Sequence, residues 1–131
     1  MRRKLLRGAR RGEGATALLL PPPSLLQGSA MTLDEYQADA VRTALVNDEL
    51  PPLWYLALGL AGEAGEVANL IKKFERHGKA FSADAVADEL GDVLWYLAVA
   101  AKAAGLTLDE VAAKNVDKLR ARYPEGFKAR G

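Results

Sequence analysis

Two capping boxes, one on each side of the middle of the chain, constrain the fold more than any other feature of the sequence. They read Thr32-Leu33-Asp34-Glu35 and Thr107-Leu108-Asp109-Glu110. In such a box the threonine hydroxyl accepts a hydrogen bond from the glutamate amide, and the glutamate carboxylate accepts one from the threonine amide. Each box therefore predicts the first turn of a helix.

Proline, serine and glycine supply the other helix boundaries. Proline is tolerated in the first turn of a helix, serine caps that turn, and glycine or a later proline ends the last turn. The boundary residues are, in chain order, Pro51, Pro52, Gly78, Ser82, Gly105, Pro124 and Gly126. The four predicted helices run from Thr32 to about Asn47, from Pro51 to Gly78, from Ser82 to Gly105, and from Thr107 to Pro124. Short connections make consecutive helices antiparallel, so we predict an all-α fold, a four-helix antiparallel bundle.

Residues 1–30 lack any sustained helical or strand pattern. They contain six Lys or Arg, and three consecutive prolines at 21–23 stop any helix that starts there. We predict a disordered, basic and proline-rich tail, followed by one helical domain at residues 31–131. Two other interpretations of the tail stay open. It could be a targeting segment, or it could be sequence upstream of a true start at Met31.

Composition limits the kinds of function that the chain can have. With 131 residues, 50% hydrophobic and 27% charged, the sequence predicts one soluble domain, expected in the cytoplasm. The absence of cysteine excludes disulfides, thiolate metal sites and cysteine nucleophiles. Residues 1–30 hold six of the 18 basic residues and one of the 17 acidic ones, so the helical domain has a net charge of −4. An acidic domain argues against a nucleic-acid partner, and we expect no membrane partner either.

Two pairs of carboxylates, each with a spacing of three, lie in the two longest apolar segments of the chain. Glu63 and Glu66 lie in "LALGLAGEAGEVANLI", and Glu89 and Asp92 lie in "ADELGDVLWYLAVAA". A spacing of three places each pair on one face of its helix. Neither segment contains a Lys, Arg or His that could neutralise the pair locally. Counted from the turn between the helices, the two pairs differ in height by roughly 7 to 8 Å, so four carboxylates can meet.

The alternative interpretation of these acids is a solvated helix face, but such faces usually mix charges of both signs. Carboxylates that converge in an apolar groove repel one another unless a cation joins them. Oxygen ligands without His or Cys favour Mg²⁺, or Mn²⁺ as a substitute. Gly59, Gly62, Gly65 and Gly91 cost roughly 1 kcal/mol each relative to alanine, and we expect them to let two helices approach or to serve ordinary close packing.

Three segments resemble, in order, the motifs of the MazG-like nucleoside triphosphate pyrophosphohydrolases, the all-α NTP pyrophosphatase group that also contains the dimeric dUTPases. They are "GLAGEAGEVANLIKK", "ADELGDVLWYL" and "KNVDKLRARYPEGF". The resemblance covers essentially the whole helical domain. It implies a Mg²⁺ site that holds the triphosphate, with the metal ligands Glu63, Glu66, Glu89 and Asp92. Many members carry an additional glutamate where this sequence has Gly62.

The reaction that the resemblance implies is hydrolysis of a nucleoside triphosphate between the α and β phosphates, which gives a monophosphate and pyrophosphate. Metal ions suit this chemistry, because phosphoryl transfer needs charge neutralisation and positioning more than covalent catalysis. Glu66 or Glu63 is the predicted general base or water-orienting residue. Removal of surplus or non-canonical nucleotides is the role suggested by analogy.

Substrate contacts are predicted from helix spacing. Asn115, Lys118 and Arg122 share one face of the fourth helix, at positions i, i+3 and i+7. Lys73 follows Glu66 by two turns. The remaining candidates are aromatic: Tyr96, which lies one turn after Asp92, and Trp54, Tyr55 and Trp95, which could stack on a base. A lone basic residue is otherwise a solvated charge, and an aromatic residue in a bundle is otherwise part of the core.

Other functions and assemblies compete with this hypothesis. A non-catalytic nucleotide-binding or regulatory helical module and a phosphoribosyl-ATP pyrophosphohydrolase both stay open. A di-iron carboxylate bundle does not, because it needs two Glu-x-x-His pairs and the sequence has one histidine, His77. Apolar residues on more than one face of the third helix, together with the resemblance, predict a homodimer or homotetramer.

Overall fold

The computed structural model describes residues 30–127, and all four of their helices lie in the compact unit Met31–Gly131. The helices are α1 (Leu33–Ala44), α2 (Leu53–Arg76), α3 (Ala83–Ala103) and α4 (Leu108–Arg122), and this part of the chain contains no β-strand. The predicted all-α, four-helix fold is confirmed. The predicted disordered tail falls almost entirely on residues 1–29, which lie outside the described residues.

Both capping boxes form as the sequence predicts. The Thr32 amide donates to the Glu35 carboxylate at 2.7 Å, and the Glu35 amide donates to the Thr32 hydroxyl at 3.1 Å. Thr107 and Glu110 repeat the same two bonds at the start of α4, at 2.7 and 3.1 Å. Local side-chain chemistry therefore fixes where α1 and α4 begin.

Helix α3 is the centre of the domain. It packs against α1, α2 and α4, whereas α2 contacts no described helix other than α3. Leu56 of α2 and Val99 of α3 are the largest fully buried side chains in the described core. The other buried apolar residues are mostly small, which lets α1 and α4 approach α3 closely: Ala40, Ala44, Leu70, Ala98, Ala101 and Leu108.

A buried glutamine joins α1 to the turn between α3 and α4. Gln37 is 5% exposed, and its Nε2 donates to the carbonyls of Ala98 and Leu106, each at 3.1 Å. Its Oε1 accepts a hydrogen bond from the Leu108 amide at 3.2 Å. The chain can turn back to Gln37 because Gly105 has a φ of 77°, a left-handed conformation that glycine adopts without steric cost.

Helix α1 ends earlier than predicted, at Ala44 rather than near Asn47. Val46 and Glu49 exchange two backbone hydrogen bonds of 3.0 Å across a tight turn. Its two central residues, Asn47 and Asp48, have φ values of 52° and 62°, which identifies a type I′ turn. Asparagine and aspartate tolerate this left-handed conformation better than most residues, so the turn outcompetes another turn of helix.

None of the helices in the described range is both long enough and apolar enough to cross a membrane.

Candidate functional site

Three carboxylates meet between α2 and α3. Glu63 of α2 and Glu89 and Asp92 of α3 each offer one oxygen, and these oxygens lie within 4.8 Å of one another. Glu63 and Glu89 are half-buried and Asp92 is exposed, so the group has one open side. In the range 30–127 no Lys, Arg or His forms an ion pair with any of the three. A hard divalent cation fits this donor set, because carboxylate oxygens are its preferred ligands and no described basic residue pairs with them.

Glu66, the fourth predicted ligand, lies outside this group. It is exposed on α2, one turn beyond Glu63. Three residues rotate a helix by about 300°, so two acids at this spacing point roughly 60° apart. Helix α3 directs both Glu89 and Asp92 at the group, whereas α2 directs only Glu63. The structure thus brings together three of the four predicted carboxylates.

Tyr96 of α3 lies close to the carboxylate group. Its ring lies directly on the backbone of Gly59, so that a methyl group at that position would overlap the ring. Burial raises the pKa of the Tyr96 phenol, and nearby Tyr55, Glu63 and Asp92 raise it further. The Tyr96 hydroxyl is therefore a neutral hydrogen-bond donor or acceptor beside the acids at physiological pH.

Helix α1 contributes a residue that sequence reasoning missed. Burial raises the pKa of Tyr36, and the charge of Asp92 raises it further, which places this phenol close to the carboxylate group. Tyr36 also packs against the core. No local pattern predicts that Tyr36 lies beside the acids, because its position there depends on how α1 crosses α3.

The other predicted substrate contacts do not meet the carboxylates within one chain. Asn115 and Lys118 line an apolar groove of about 910 Å³, together with Leu94 and Leu97 of α3. No carboxylate of the α2/α3 group lines this groove. The last two predicted contacts are exposed in the final turns of α2 and α4: Lys73 and Arg122.

The expectation that four glycines bring two helices together is wrong for three of them. Only Gly59 lies under a neighbouring side chain, the Tyr96 ring. Added methyl groups at Gly62, Gly65 and Gly91 would meet no atom within 4 Å. These three glycines are exposed, so they do not set the distance between α2 and α3 in one chain.

Comparison with known proteins gives two matches. Residues 54–127 match the MazG nucleotide pyrophosphohydrolase domain, a range that includes all four carboxylates but not α1. The "Gene 37 protein" of Mycobacterium phage L5 is 37% identical over 105 residues, which cover 73% of this chain and 92% of that protein. No solved structure matches the chain.

Substitution of two glycines on α2 should have opposite effects on stability. Gly59→Ala forces the Tyr96 ring away from α2, and overpacking of this kind costs about 1 to 3 kcal/mol. Gly62→Ala faces open space and should raise the free energy of unfolding by about 1 kcal/mol through helix propensity. Chemical denaturation of both variants measures the difference. Equal stabilisation by the two substitutions would contradict the close contact of Tyr96 with Gly59.

Proposed function

We propose that this chain, which belongs to the MazG nucleotide pyrophosphohydrolase family, is a Mg²⁺-dependent enzyme that hydrolyses ribo- or deoxynucleoside triphosphates between the α and β phosphates. The observation that carries the proposal is the convergence of Glu63, Glu89 and Asp92 without a basic partner among residues 30–127. Such a group is unfavourable alone and becomes favourable around a divalent cation.

Within this proposal Glu63, Glu89 and Asp92 hold the cation. Bound Mg²⁺ supplies charge neutralisation for the phosphates and lowers the pKa of an attacking water. The exposed edge at Asp92 leaves the group open to a phosphate chain from solvent. Mn²⁺ would satisfy the same oxygen ligands.

Glu66 and Tyr96 have complementary roles at the edges of the group. Glu66 lies one turn from Glu63 and is solvated, so its carboxylate can orient the attacking water and accept its proton. Tyr96 keeps its proton at neutral pH, because its phenol pKa is raised. Its hydroxyl can therefore donate a hydrogen bond to a substrate oxygen. Asn115, Lys118, Arg122 and Lys73 remain predicted phosphate or sugar contacts.

The proposed assembly is a homodimer or homotetramer. Large apolar side chains are exposed along α2, α3 and α4 at these positions: Leu58 67%, Leu90 51%, Val116 40% and Leu119 43%. Large apolar side chains left exposed in this number favour a contact with another protein.

Hydrolysis should release pyrophosphate, and not orthophosphate, from nucleoside triphosphates in the presence of Mg²⁺. Glu63→Gln and Asp92→Asn should reduce the rate by roughly 100-fold or more, since loss of even an outer-shell partner of a metal costs 10- to 100-fold. Glu75→Gln is the matched control, because Glu75 is an exposed acid on α2 outside the carboxylate group. Orthophosphate as the product, or full activity in both site variants, would contradict the proposed reaction.

Thermal melts should separate a metal site from a structural group of acids. In EDTA, Asp92→Asn and Glu66→Gln should leave the melting temperature unchanged or raise it, because each removes a repulsive charge. Mg²⁺ should stabilise the wild type through linkage, by about 2.7 kcal/mol at 100 times the Kd. Asp92→Asn should lose most of that gain, whereas Glu66→Gln should keep it, because Glu66 lies outside the carboxylate group. Clear destabilisation of the variants in EDTA, with no effect of Mg²⁺ on the wild type, excludes the metal role.

Light scattering at micromolar protein concentration should give the mass of a dimer or tetramer, because the exposed apolar side chains of α2, α3 and α4 are buried on assembly. A monomeric mass of about 14.1 kDa would rule out the proposed assembly. Glu75→Gln again serves as a control of unchanged mass, since it alters charge without altering apolar surface.

A further inference from the structure

Two neighbouring aromatic residues are exposed in the first turn of α2. Trp54 is 67% exposed and Tyr55 is 49% exposed, and their rings make an edge-to-face contact with centroids 6.1 Å apart. A ring held by its neighbour keeps little freedom, so a flat ligand can stack on it at small entropic cost. These exposed ring faces do not pack against the core.

This aromatic surface is continuous with the carboxylate group. Tyr55, Gly59 and Glu63 follow one another at intervals of four, so they lie along one face of α2. The Tyr96 ring covers Gly59, between Tyr55 and Glu63. Eight residues separate Tyr55 from Glu63, which corresponds to about 12 Å along the helix. Aromatic side chains therefore line this face of α2 from the exposed rings, past Tyr96, to the three acids.

We propose that Trp54 and Tyr55 form the platform on which the base of the substrate stacks, with Tyr96 as the wall between the base and the metal-bound phosphates. The inference rests on the proposed function, because it assumes that the phosphates bind at the carboxylate group. The spacing suits a nucleoside triphosphate that lies extended along α2. The segment from Leu53 to Gly62 carries no charged residue, so it offers a neutral surface to a neutral base.

The chemistry of the platform determines which substrates it accepts. Stacking on an aromatic ring tolerates every base, because every base has a π face. The platform carries no buried polar side chain that would reject one base in favour of another. The site therefore takes nucleoside triphosphates as a class and selects against ligands that have phosphates but no base.

The test compares binding of an uncleavable nucleoside triphosphate, with an imido group between the α and β phosphates, and binding of inorganic tripolyphosphate, both with Mg²⁺. Trp54→Leu and Tyr55→Leu should each weaken nucleotide binding about tenfold, in the range of one stacked base. Binding of tripolyphosphate should not change. Tyr55→Phe keeps the ring and should retain most of the affinity. Equal losses for both ligands, or no loss for the nucleotide, overturn the proposal.

Phe81→Leu is the matched control. Phe81 is an aromatic residue that is 71% exposed, but it lies between the end of α2 and the start of α3, whereas Trp54 and Tyr55 lie at the start of α2. Its substitution should leave nucleotide binding unchanged, and an equal loss in this variant would overturn the platform. Light scattering of Trp54→Leu gives a further check. A lower mass together with an unchanged nucleotide affinity would assign Trp54 to a contact between copies of the chain, and would overturn the stacking platform.

The measurements of binding and of pyrophosphate release distinguish an error in the proposed stacking platform from an error in the proposed hydrolysis. A wild type that binds the nucleotide with Mg²⁺ but releases no pyrophosphate contradicts the reaction only, and the two-ligand comparison still decides the platform. A wild type that binds tripolyphosphate and the nucleotide with equal affinity overturns the platform, whatever its activity.

Discussion

The buried side-chain amide of Gln37 is the interaction on which the arrangement of three of the four helices depends. Its two N–H groups and its carbonyl oxygen all have partners, in the last turns of α3, in the following loop and at the first amide of α4. A buried polar group left without a partner costs about 1 to 3 kcal/mol, so α1 cannot slide or rotate without losing several bonds together. Asp34, one turn earlier, strengthens this register by accepting a hydrogen bond from the Asp109 amide at 3.0 Å.

Helix α3 has a further partner in α2. The part of α3 that faces α2 carries Glu89, Asp92 and Tyr96. The separation of α2 and α3 is set by an aromatic ring lying on a glycine, Tyr96 on Gly59. The candidate site thus depends mainly on one helix pair, and α1 reaches it through Tyr36.

The sequence predicted those features that follow from local chemistry. The capping side chains of Thr32, Ser82 and Thr107 predict where three helices start. The number of residues between each acid and the turn predicts that acids of α2 and α3 meet. The end of α1 was missed because a type I′ turn competed with the helix. The outward position of Glu66 and the approach of Tyr36 depend on helix rotation and crossing, which periodicity alone does not determine. For the same reason, the role expected for Gly62 was wrong.

The repulsion among the acids between α2 and α3 also explains why buried side chains must hold these two helices together. Two unit charges 4.8 Å apart repel by roughly 1 kcal/mol in bulk water and by about 3 to 4 kcal/mol at an effective dielectric constant of 20. Without a cation, this repulsion acts directly to separate the two helices. Leu56 and Val99, buried on the same two helices, oppose it, and burial of such side chains contributes about 1.5 to 3 kcal/mol each. The fold therefore holds the acids together by itself, and a cation bound between them would not have to bring the two helices into contact.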